Sequence, residues 1–219
     1  ELGLPPVLEV LDEIAAKALI AESIDVAIDA PRMEEIGEVA RRFDLDAESW
    51  QEDLEELIQN ARANGLEGDT LRAMAGRNAA DLLKQFPPAT REDLDGRMRQ
   101  VIQAVVPQME AALAKKPTKL TKECLELLEE FRDDLAAGSA KWVDWVRVSK
   151  AKAEKALSDA LVPVLETAAR FPSHPRLRED LRRYLDLMFT ACTDVLAVYD
   201  GRKRELGVMD FVDQERRLL

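Results

Sequence analysis

Apolar residues recur along this chain at intervals of three and four, the spacing that gathers them on one face of a helix. Trp50, Leu54, Leu57, Ile58 and Ala61 share such a face behind the candidate cap Asp46, and Gly65 closes the stretch. Upstream, Asp12 caps a helix running to about Ala30, with Leu19, Ile20, Ile24, Ala27 and Ile28 as its stripe. Pro31 restarts the chain for a short helix to Phe43 with Met33, Ile36 and Val39 inward. The next helix runs from about Asp69 to Phe86, weakened by Gly76 and stopped at Pro87-Pro88. Thr90 and Asp93 stand in capping-box spacing before a helix that Pro107 should kink or break, with the pattern resuming through Met109 and Leu113. A loop around Pro117 leads to a helix from Thr121 to Gly138, and another begins near Ser139 with Pro163 as a kink.

The longest pattern starts near Ser173–Pro175 and reaches Leu206, with Gly201 as a point of interruption. Leu177, Leu181, Tyr184, Leu185, Met188, Cys192, Val195, Leu196 and Tyr199 form its seam. No stretch alternates strictly with β-branched enrichment. The expected fold is all-α, an irregular multi-helix bundle of about eight or nine helices with no strand.

Composition agrees with helices: 47% of the 219 residues are hydrophobic, 34% are charged and only 5% are aromatic. No apolar run approaches the roughly 20 residues of a membrane span. Cys124 and Cys192 read as buried free thiols, and with no CxxC motif the cytoplasm is the expected compartment. The net charge of -12 is unevenly placed. Residues 1–60 carry 17 Asp/Glu against 4 Lys/Arg, whereas residues 61–219 carry 26 against 27. That excludes a module basic throughout but leaves room for a basic face in the later part.

Catalytic patterns are missing. There is no Gly-Lys pair and hence no phosphate-cradling GxxxxGK[ST] loop. The one histidine, His174, sits between two prolines at a helix start, where a turn or cap role is expected. Acidic pairs such as Glu55–Glu56 and Glu129–Glu130 read as solvated faces, so neither a catalytic nor a metal site is expected. One segment mixes aromatics with cations: "SAKWVDWVRVSKAKAEKAL". On a helix, Trp142, Trp145, Val146, Ser149, Ala153 and Ala156 fall on one side as core. Lys141, Arg147, Lys150, Lys152 and Lys155 spread around the other, where they can contact phosphates without reading sequence. Further cations occur at Lys115, Lys116, Lys119 and Lys122, around Arg176 to Arg183, and at Arg202 to Arg204.

The closing "KRELGVMDFVDQERRLL" resembles a segment of UvrD/Rep-like superfamily 1 DNA helicases, through Gly207, Val208, Met209, Asp210, Phe211 and Asp213. There the chain returns from a helical insertion, 1B, into the first RecA-like domain. Asp210 and Asp213 have cap spacing, and Phe211 can anchor the helix. The opening "LGLPPVLEVLDEIAAKALIAESIDVAI" resembles the segment after the family's early single-strand-binding motif, notably in the AddA/RecB-like subgroup, through Pro5, Pro6, Val10, Leu11, Asp12 and Glu13. Val7–Leu8 stands where an aromatic is common nearby. The two matches cover about 40 residues at the ends, and the middle is similar only as a variable helical insert.

The resemblance implies an extended junction at 1–11, a 1B-like helical domain at 12–206, and the start of a returning helix at 207–219. It also explains a first residue other than Met and a last helix that stops early, as in a piece of a longer chain. The implied role is an accessory domain of an ATP-dependent DNA helicase or helicase-nuclease in repair or recombination, touching duplex or single strand near the fork. ATP and Mg would belong to the parent and not to this segment. The implied partners are DNA, the parent's core domains and a second helicase-nuclease subunit, with no membrane. The rival reading is a stand-alone helical interaction module whose acidic first 60 residues bind a basic partner. The insertion reading expects the neighbourhoods of Asp12 and Gly207 to lie close in space.

Overall fold

Local caps start the helices where the sequence places them. Asp12 Oδ1 accepts the Ala15 N–H at 2.7 Å and opens α1 (Glu13–Ala27), and Asp46 does the same through the Ser49 N–H at 2.8 Å for α3 (Ala47–Ala63). The structure is a computed structural model that describes residues 9–218, with side chains described for 9–215. Pro5, Pro6, Val7 and Leu8, and the side chains of Leu218 and Leu219, lie outside the described residues. Between and beyond these helices come α2 (Ala30–Arg42), α4 (Gly68–Leu83), α5 (Leu94–Lys115), α6 (Lys119–Ala137), α7 (Trp142–Ser149), α8 (Ser158–Ala169), α9 (Pro175–Leu206) and α10 (Phe211–Leu218). The all-α class therefore holds, with ten α-helices among the described residues.

Several expectations need correction. A strand pair exists: β1 (Glu9–Val10) lies parallel to β2 (Val208–Met209), with Glu9 opposite Val208 and Val10 opposite Met209. Two residues per strand are too few to display alternation, and the partners are about 200 positions apart.

Pro107 neither breaks nor ends α5, which runs unbroken for 22 residues. Pro107 and Gln103 are exposed, so water can take the carbonyl that loses its N–H partner, while Val101, Ile102, Val105, Val106 and Met109 keep the buried seam intact. Asp93, not Thr90, caps this helix, through the Gly96 N–H at 2.9 Å.

Gly201 does not interrupt α9, which extends over 32 residues. Conversely, the helix expected from Ser139 does break. α7 closes with Lys150 N–H to Arg147 and Ala151 N–H to Val148 carbonyls, and the chain leaves the helix until a 3-10 turn at Lys155–Leu157. Tertiary docking overrides the propensity of "KAKAEKAL": the Glu154 N–H reaches Thr121 Oγ1 of α6 at 3.4 Å, and Leu157 enters the core.

The stretch expected as one helical domain, 12–206, divides into two compact units. Unit 1 comprises residues 1–40, 45–82 and 182–219, and unit 2 comprises 41–44 and 83–181. In unit 1, Ile36, Leu54, Ile58, Leu71, Cys192, Val195 and Tyr199 are all at most 1% exposed. Unit 2 buries the seams of α5, α6, α7 and α8, including Met98, Leu128, Phe131, Trp145 and Val164.

Candidate functional site

The resemblance-bearing residues Gly207, Asp210, Phe211 and Asp213 fall in unit 1, where α9 turns into α10. Gly207 takes φ 68°, the left-handed conformation that ends α9 without a Cβ clash. The chain then runs through β2. Asp210 Oδ1 accepts the Asp213 N–H at 3.0 Å, and Asp213 Oδ2 accepts the Asp210 N–H at 3.1 Å, a reciprocal cap at the start of α10. Phe211 does not anchor this helix against the described residues, because its side chain is 59% exposed.

Asp210 is buried, and three side chains converge on its Oδ2. Arg62 Nη2 donates at 2.7 Å, the Tyr199 hydroxyl at 2.7 Å and Lys203 Nζ at 3.3 Å. Lys203 Nζ also donates to Asp213 Oδ2 at 2.7 Å and lies 3.1 Å from Asp200 Oδ1. The Arg62 guanidinium and the Lys203 ammonium both sit over the Tyr199 ring, 4.9 and 4.6 Å from its centroid. Burial alone would raise the Asp210 carboxyl, but the Tyr199 hydrogen bond, the Asp213 amide and the two cations hold it down at about 2. Burial would likewise lower Lys203, but the surrounding aspartates outweigh it and raise its ammonium above the usual range.

The recess beside this network holds only about 10 Å³, room for about one water and not for a substrate. With every charge paired, the cluster clamps the closing segment to α3 and α9. Of its members, Tyr199 and Lys203 stand at i, i+4 on one helix and so carry a sequence signal. Arg62 carries none, being 148 positions from Asp210.

Compared with protein-family models, characterised proteins and solved structures, the chain matches none.

The five candidate phosphate contacts all lie in unit 2 but do not share one helix face. Lys141 immediately precedes α7, and its Nζ donates to Asp44 Oδ1 at 2.7 Å. Arg147 donates to Asp144 Oδ1 at 3.2 Å. Both line a groove of about 130 Å³ with Glu130, Asp134 and Asp144, a mixed lining that offers phosphate little net attraction. Lys150, Lys152 and Lys155 are exposed on the irregular segment and 3-10 turn beyond α7.

The tryptophans are core, as expected. Trp145 is 0% exposed and meets Phe131 edge to face at 5.4 Å. His174 is also buried, against Trp142 and Trp145 with ring centroids 5.2 and 5.4 Å away. Its Nδ1 accepts the Arg176 N–H at 3.1 Å, a cap-like contact at the start of α9. Its Nε2 lies 3.3 Å from Asp95 Oδ1 without hydrogen-bond alignment. Burial opposes ionisation of Asp95, yet His174 and Arg176 together lower its carboxyl. Both cysteines are buried free thiols, and burial pushes Cys192 up to about 12.

Among the described residues, no group of three His, Cys, Asp or Glu side chains could hold a metal ion. No helix among them is long and apolar enough to cross a membrane.

Proposed function

We propose that this chain is the helical insertion of a UvrD/Rep-like DNA helicase, a 1B-like domain that touches DNA while ATP is hydrolysed elsewhere in the parent. The observation that carries the reading is the parallel pairing of β1 with β2. The Leu11 N–H donates to the Met209 carbonyl at 2.8 Å, directly beside the paired residues. A domain inserted into a host must leave and rejoin it at neighbouring points, and these two junctions are hydrogen-bonded neighbours. The Asp210–Asp213 cap and its buried cations support the same reading, because they hold the returning segment in one orientation. The DNA would engage exposed cations of unit 2, since unit 1 is strongly acidic.

The reading is tested by the coding sequence around this segment. A Walker A motif ahead of Glu1 and an Asp-Glu-x-x-Asp motif soon after Leu219 are expected, and their absence from the full reading frame would overturn it. The acidity of unit 1 favours a second role for that unit, contact with a basic protein surface. Retention of unit 1 on a basic partner that fails to bind DNA-loaded protein would reveal it.

A further inference from the structure

We infer that a lysine patch at the start of α6 binds the phosphate backbone of duplex nucleic acid, with Lys116, Lys119 and Lys152 at its centre. The inference rests on the DNA-facing reading above and gives it a place. Two contacts assemble the patch from segments more than 30 positions apart. Lys116 Nζ lies 3.4 Å from Glu154 Oε1, and the Glu154 N–H donates to Thr121 Oγ1 at 3.4 Å. The two segments that meet here carry Lys115, Lys116, Lys119 and Lys122 on one side and Lys152 and Lys155 on the other, all exposed.

The acids among them are Glu123, Glu126 and Glu154. Glu123 and Glu126 are engaged only in exposed i, i+4 pairs of 3.5 Å with Lys119 and Lys122, contacts that a phosphate can replace at little cost. α6 also begins inside the patch, and Thr118 at its N-cap position makes no side-chain cap bond. First-turn amides and the positive end of the helix dipole therefore add to the attraction for anions.

Chemistry selects the ligand. Leu120, 45% exposed, is the large apolar side chain in the patch, and no aromatic ring stands among the lysines. Stacking of unpaired bases has no platform here, and an apolar peptide has no groove. A run of point charges on flexible stems suits a regularly spaced backbone read without regard to sequence.

The test is fluorescence anisotropy of a short labelled duplex against the intact chain, K116Q/K119Q/K152Q, and K141Q/R147Q, over a salt series. Far-UV circular dichroism checks that each variant keeps its helices. The triple variant should lose about tenfold or more in affinity at low salt, and its log–log salt slope should be shallower by roughly 2–3. The double variant should bind like the intact chain. Comparing variants cancels the repulsion from the acidic unit. A triple variant that binds unchanged while the double variant weakens overturns this placement and leaves the DNA-facing reading standing. No duplex binding by the intact chain at low salt, or tighter binding to polyglutamate than to duplex, overturns both.

Discussion

Unit 1 and unit 2 are built on opposite principles. Unit 1 is stitched from three stretches of chain and carries 26 Asp/Glu against 12 Lys/Arg, a net of -14. Unit 2 is nearly one continuous stretch and carries 17 against 19, a net of +2. In unit 1 the joining is ionic as well as apolar. Arg62, Lys203, Asp210 and Asp213 tie α3, α9 and α10 together, and Arg32 spans from α2 to Asp194 of α9 at 2.7 Å. Unit 2 centres on Trp142, Trp145, Phe131 and His174, and its lysines are left at the surface. A chain-wide net charge of -12 thus conceals one body that repels nucleic acid and one that does not.

The largest effect should come from removing the centre of the clamp. Asp210→Ala leaves Arg62 and Lys203 short of a partner in a buried site, and about 3–5 kcal/mol of stability should be lost. Hydrogen exchange read by mass spectrometry should show the loss in unit 1 peptides, with unit 2 peptides little changed. Equal loss in both would mean that the two units unfold as one.

Acid comes next. The Asp210 carboxyl is depressed to about 2, so its contribution is full above about pH 4 and fades as pH falls through 2, a loss of roughly 2–3 kcal/mol. Asp95 adds a contribution of the same sign in unit 2. Alkali separates the units. Lys203 and Tyr199 are both raised, so their contributions are full below their ordinary ranges and fade as pH rises beyond them. Both tyrosines lie in unit 1, and tyrosinate absorbance should therefore appear together with the unfolding of that unit. Ionisation of Tyr199 in a still-folded unit 1 would contradict the clamp.

In unit 2, Trp145→Phe should cost about 2 kcal/mol through lost packing alone. Trp145 Nε1 is buried without a hydrogen-bond partner, so the substitution breaks no bond. The smallest effect has the opposite sign. Pro107→Ala restores an N–H to an exposed position within α5 and should stabilise unit 2 by about 1 kcal/mol, read as a higher urea midpoint for its tryptophan fluorescence.

Part of the candidate site was readable in advance. The Asp210–Asp213 cap follows from spacing alone, because both partners sit within one turn. The neighbours that bury it were not all readable, since Arg62 arrives from a distant helix. The basic run after Trp145 suggested one cationic helix face. The structure breaks that run at Lys150, pairs Lys141 and Arg147 with acids, and sets Glu154 beside Lys116.

Sequence by itself determined what acts within a few residues: the helical periods, the aspartate caps, the glycine stop at Gly207 and the burial of Trp142 and Trp145. These depend on backbone hydrogen bonds and side-chain spacing of four residues or fewer. Only the tertiary structure decided what depends on chains meeting at long range. It paired Glu9–Val10 with Val208–Met209, divided the charge between two units, carried α5 through Pro107 and brought Glu154 to Lys116. Such outcomes turn on which surfaces bury each other, and that information is spread over the whole chain.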